Sequence, residues 1–362
     1  MRPRPRAIAA AALIVSAACS EKRLPAPVAT LDGATDSLLT GIGEVTAGTW
    51  LTDDGWAVLA PAAEVVALVH PSSDSVAPLG GSGNRELKSP ATLFRLGDTL
   101  YVGDWGLRRT SRWTFDGRFA GAVPATDAAR GALPRAADRK GWFYVELAPS
   151  PGPDGQGNRD SAAVVRTRPG SPTVDTLARL TPLDIAEVTS AAGRRFERRV
   201  FSGNDVWGVL PDGSLWVARV FENRVDWRAP DGTWTKGEPL PDRVLEVTRY
   251  DRELFIRRFP PELRTTAQQL PFAAVKPPFE AGFTSPDGEV WLEKSRAPTD
   301  SSRGDHVVDR RGRLRGEVRL PGTGRIVAVG PEAVLAAEPS REGERLVRFP
   351  LPAFRPPSAP KE

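Results

Sequence analysis

Residues 204–236 read NDVWGVLPDGSLWVARVFENRVDWRAPDGTWTK, and apolar-rich runs stand out within them at 206–210, 215–220 and 225–227. They are separated by Pro211-Asp212-Gly213, by Glu222-Asn223 and, after the third run, by Pro230-Asp231-Gly232. Short β-branched and aromatic runs bounded by Pro, Asp, Asn and Gly are strands joined by tight turns. The stretch therefore predicts an antiparallel meander of four strands.

The same unit recurs along the chain. Its first turn falls at Asp54-Gly55, Gly97-Asp98, Lys140-Gly141, Asp212-Gly213, Asp287-Gly288 and Pro331-Glu332. The unbroken steps (54 to 98, 98 to 140, 287 to 331) match the roughly 40–50 residues of a four-stranded propeller blade. A second turn follows about half a period on, Ser73 after Asp54, Asp116 after Asp98 and Asp231 after Asp212. Two nested spacings that agree predict an all-β, six-bladed β-propeller of four-stranded antiparallel blades, spanning 36–354. The last unit lacks a clear fourth strand, so a strand from 27–31 or 37–42 is expected to complete it and remove an open sheet edge.

Two longer steps hold insertions, near 181–203 and 242–280. In the second, Val247, Tyr250, Leu254 and Phe259 recur at helical spacing before Pro260-Pro261, which predicts a short helix between blades four and five. A weaker helical pattern runs over 185–200.

One unit, RELKSPATLFRLGDTLYVGDWGLRRTSRWTFDGRFAG (85–121), resembles a blade of the six-bladed NHL and TolB-like propellers. The resemblance covers about 40–350. It implies the fold only, since that group includes lyases, lactonases, dehydrogenases and plain binding domains. No Gly-His…Trp-Asp pairing points to the WD40 class.

The chain has 362 residues, 40% of them hydrophobic, which suits a folded molecule. Its formal charge of +4 owes most to Arg2, Arg4 and Arg6. Without them acids and bases are nearly balanced, and no nucleic-acid footprint remains. Those arginines open what reads as a secretory signal over 1–18, with an apolar run at 7–15 too short to span a bilayer. Ser16-Ala17-Ala18-Cys19 resembles the lipobox of bacterial lipoproteins, although Ser16 stands where an aliphatic residue is usual. The resemblance implies lipid attachment at Cys19, a tether over 19–35, and a membrane partner through that lipid. Ser20, rather than Asp, implies the periplasmic face of the outer membrane. A Pro-rich tail follows at 355–362.

Catalytic motifs are scarce. His70 and His306 show no metal-ligand spacing, and no Gly-x-Ser-x-Gly elbow, P-loop or dinucleotide fingerprint occurs. Asp53-Asp54 and Glu146 near Asp154 are the acid groups that would suit calcium, though carboxylates at turns mostly cap them. No other cofactor is implied. Arg194, Arg195, Arg198 and Arg199 form the densest charge cluster, read as a solvated helix face. Trp56, Tyr101, Trp142, Trp216 and Trp291 recur in or beside second strands, as inter-blade packing would require.

Aligning the second strands places Asp104, Arg219, Lys294 and Glu338 at equivalent ends, a candidate rim on one face, with neutral Ala60 in the first unit. These features predict a monomeric, non-catalytic envelope propeller that binds a ligand or protein partner on one face. The alternative is a hydrolase or lyase with a carboxylate-bound metal in the central channel, marked by three or more convergent Asp, Glu, Asn or His side chains.

Overall fold

Six antiparallel sheets follow one another along the chain, and their strand order gives the ring. The computed structural model describes residues 26–150, 160–190, 193–341 and 343–354. The signal, Cys19, Asp154 and the 355–362 tail lie outside the described residues.

Blade one comprises Ala47–Trp50, Trp56–Ala60, Val65–His70 and Ser75–Pro78. Blade two follows as Pro90–Leu96, Thr99–Asp104, Arg109–Trp113 and Phe119–Pro124. Blade three is Ala136–Ala137, Phe143–Leu147, Ala163–Thr167 and Asp175–Arg179. In blade four the strands are Val206–Val209, Leu215–Arg219, Arg224–Arg228 and Trp234–Thr235. Blade five has Phe279–Thr284, Val290–Lys294, Ser302–Val308 and Leu314–Pro321. Blade six supplies Arg325–Val329, Ala333–Ser340 and Gly343–Pro350 from the C-terminal side.

The missing fourth strand of blade six is Asp36–Leu39, paired antiparallel beside Arg345–Arg348. Both candidate N-terminal stretches are used. Val28–Thr30 pairs parallel to the outer strand of blade five, with Val28 opposite Glu317. Closure buries Leu31 and Leu38, each at 2% exposure.

The packing explains why second strands read as continuous apolar runs. Each is covered on both sides, so alternate residues serve two interfaces. In blade four, Leu215 and Val217 pack toward blade three with Tyr144 and Val164. Trp216 and Ala218 turn the other way, toward Val290 and Leu292 of blade five. Trp56, Trp113, Trp216 and Trp291 are all buried. A large indole between sheets removes roughly 150–250 Å² from water, so these four indoles are core, while Tyr101 and Trp142 are half-buried. Turn chemistry fits as well. Gly213 takes a left-handed φ of +91° that favours glycine, while the Asp212 carboxylate accepts the Ser214 N–H at 2.8 Å.

Both insertions connect an outer strand to the next inner strand, so they share one face of the disc. The helix is Arg249–Arg257, started by Thr248 in a capping box with Asp251. Asp251 is buried and pairs with Lys276 at 2.7 Å, tying the helix to the chain that follows. The segment 185–200 is not helical, correcting the weaker helical expectation. Ile185–Ser190 and Gly193–Arg198 form a two-stranded hairpin. A short pattern with apolar residues at both spacings fits either period, and the cross-strand Arg194–Glu187 pair at 3.4 Å accompanies the hairpin. Phe201, at the hairpin's foot, packs on Phe255 and Phe272 and joins the two insertions.

Candidate functional site

The first strands of neighbouring blades lie side by side around the axis, with several small residues among them. Gly48, Ala91, Ala136, Ala137, Gly208 and Gly282 all line a central cavity of about 810 Å³. Small side chains on inner strands leave the axis open.

Connections at the insertion-bearing face supply the mouth. Glu146, at the end of blade three's second strand, accepts the Trp207 indole N–H at 2.8 Å and pairs with Arg135 at 3.0 Å. The Arg135 guanidinium also lies 5.8 Å from the Trp207 ring centre. Arg325 pairs with Glu344 at 3.2 Å and with Glu44 at 3.3 Å. Burial pushes the Glu344 carboxyl up, against the opposing pull of the Val45 N–H and Arg325. Glu293 pairs with Arg303, and Trp105 stands 52% exposed at the entrance. The mouth thus offers paired guanidinium and carboxylate groups beside one open indole, Trp105, a surface suited to hydrogen-bonding a polar ligand and stacking on its flat part, with Trp207 buried beneath.

Behind this mouth, Asp305 is 1% exposed, and neither of its carboxylate oxygens has a hydrogen-bond partner. Burial pushes its carboxyl up to about 7, with Arg303 opposing. Its neighbour His306, also buried, is pushed down to about 4 by burial first and by Lys294 second.

The four rim residues close equivalent second strands, but their roles differ. Asp104 is fully buried and accepts the backbone N–H groups of Lys88 at 2.7 Å, Ser89 at 3.2 Å and Leu107 at 2.9 Å, so it caps a turn. Arg219 pairs with Asp205 at 2.8 Å and Asp226 at 3.5 Å and donates to the Arg179 carbonyl. Lys294 lies within 3.5 Å of the Pro241 carbonyl, and burial lowers its ammonium. Glu338 packs its side chain over Gly324. Lys294 and Glu338, on neighbouring blades, form no ion pair with each other among the described residues. The arginine cluster is similarly engaged, through Arg194–Glu187, Arg195–Glu197 and Arg199–Asp184 pairs, and through Arg198 donating to Ser202.

Of the acid groups considered for calcium, Asp154 lies outside the described residues, while Asp54 and Glu146 are engaged by protein partners. Asp54 is used by Ser72, and Glu146 by Arg135 and Trp207. Among the described residues no group of three or more His, Cys, Asp or Glu side chains could hold a metal.

Arg135, Trp105, Trp207 and Arg325 were not apparent from the repeat. They come from inter-blade connections and inner-strand starts, where the periodicity is weakest. The run of small residues on first strands is the signal that marks the cavity.

No protein-family model matches the chain, and no curated protein matches it in sequence. Solved structures are similar to it. A member of the DUF4221 family from Bacteroides vulgatus aligns over 88% of this chain and 94% of its own, at 10% identity and a TM-score of 0.45. A gluconolactonase from Xanthomonas campestris aligns over 90% and 99%, at 14% identity and 0.46. Virginiamycin B lyase from Staphylococcus aureus aligns over 86% and 96%, at 9% identity and 0.43. The six-bladed β-propeller is defined by the strand pairing, and these likenesses carry nothing about reaction or ligand.

Proposed function

We propose that this chain is an exported, lipid-anchored propeller of the NHL and TolB-like kind, which binds a ligand or partner at the mouth of its axial cavity without catalysing a reaction. The observation that carries it is the open cavity of about 810 Å³, whose mouth is polar and aromatic. That volume falls within the roughly 300–1,000 Å³ typical of small-molecule sites. Trp105 and Arg135 are the groups free enough of the core to meet a ligand, while Trp207 and Glu146 hold Arg135 in place.

The test is a thermal-shift panel of sugars, sugar acids, lactones and short peptides on the wild type and a Trp105→Ala/Arg135→Ala variant. At least one class should raise the wild-type melting temperature, with the rise lost in the variant. A rise that survives the double substitution would move the site elsewhere.

The anchor rests on the basic start, the apolar run and Ser16-Ala17-Ala18-Cys19. Cys19→Ala should release the protein from membranes or leave it uncleaved; unchanged membrane partition would remove the lipid from the proposal. The alternative, a metal-dependent hydrolase or lyase, would be favoured by stoichiometric calcium or zinc that stays with the soluble ring through dialysis.

A further inference from the structure

A second cavity, of about 640 Å³, lies over blade four where the two insertions meet. Its walls come from the foot of the hairpin, the turn after blade four's second strand, the segment before the helix, the helix itself at Arg252, and the extended segment after it. They are fixed against one another. The Val200 N–H donates to Pro271 and the Ala273 N–H returns to Val200. A Cβ on Gly203 would come within 2.4 Å of Val220 and 2.5 Å of Pro277, so the chains meet there with no room for a side chain.

The lining charges nearly cancel, with one remainder. Arg199 pairs with Asp184 at 3.2 Å, and Lys276 pairs with Asp251 at 2.7 Å. Asp242 lies within electrostatic reach of Lys294, whose ammonium it supports. Arg252 is left: its guanidinium sits 5.3 Å from the Phe272 ring centre, and it has no ion pair among the described residues. A guanidinium stacked on an aromatic face keeps its planar fork available for a carboxylate. Beside it the rim is apolar and open to solvent, with Phe221 at 72% and Val244 at 75% exposure. Exposed apolar groups around a cavity of ligand size mark a binding site more than a bare surface.

We infer that this cavity binds an amphipathic carboxylate, an acyl or aryl chain whose carboxylate pairs with Arg252 and whose apolar body covers Phe221 and Val244. The site is separate from the axial mouth and stands independently of it.

The probe is a dansyl-labelled undecanoic acid, titrated by fluorescence against the full chain below the probe's micelle concentration. Wild type should bind it saturably at one site. Arg252→Ala should weaken binding at least about tenfold, as loss of one charge-assisted contact implies, and Arg252→Lys should recover part of it. The probe's methyl ester should bind wild type and Arg252→Ala alike. Val244→Asp, an exposed change that leaves Arg252 in place, should weaken acid and ester together. Equal acid binding by wild type and a folded Arg252→Ala overturns the inference. So does association only with phosphatidylglycerol vesicles and not with monomeric probe, which would make the apolar rim a lipid-surface contact.

Discussion

Asp305 and His306 are adjacent on one strand, and their titrations pull stability in opposite directions. The Asp305 carboxyl is raised to about 7 in the fold, against about 3.9 in an unfolded chain. Between those values the folded state keeps a proton that the unfolded state releases, so this group's contribution falls as pH rises. His306, lowered to about 4 from about 6.5, does the reverse and loses stability as pH falls. Asp305→Asn removes one slope and leaves the other. The variant's melting temperature, relative to wild type, should be most favourable above pH 7 and the advantage should shrink toward pH 5; a pH-independent difference would show that Asp305 stays ionised. Arg219 makes the residue scale concrete in another way. From the strand alignment alone it is a surface charge whose removal changes stability by no more than about 0.5 kcal/mol. In the fold it pairs with the Asp205 side chain, which has no exposed area. Arg219→Ala should cost about 1–3 kcal/mol, because a buried carboxylate loses its charged partner and keeps only the Thr181 and Val220 N–H groups. Urea unfolding of the variant decides between the two figures.

At the scale of elements, turns and strands were legible because each is fixed locally: Asp-Gly corners set the reversals, and two-sided burial makes second strands read as unbroken apolar runs. The hairpin at 185–198 was not, since neither of its strands faces a core that would impose a clean alternation. The helix was legible but begins later than its periodicity, at Arg249, where Thr248 and Asp251 satisfy its first N–H groups. The N-terminal strands carry the largest single prediction here. Deleting 26–42 would expose the edges of blades five and six and remove the burial of Leu31 and Leu38. At roughly 1.5–3 kcal/mol per buried leucine, the loss should be about 3–6 kcal/mol before the ladder is counted. An unchanged denaturation midpoint would mean the ring closes without them.

For the whole molecule, a repeating unit the length of a four-stranded blade predicts a ring, because neighbouring blades related by a constant rotation close once that rotation sums to a full turn. What repeats is the packing; what binds is supplied by the irregular connections, and these leave no periodic trace. That is why blade number was readable while the mouth and the second cavity were not. One feature of the closure also sets which way the molecule looks. Val28–Thr30 runs parallel to the outer strand of blade five, and that strand runs toward the insertion-bearing face, where it crosses to blade six. The chain therefore enters the ring from the opposite side. A tether attached ahead of residue 26 would hold the disc by its back, with the axial mouth and the blade-four cavity turned away from the anchoring surface and toward whatever passes in the surrounding space.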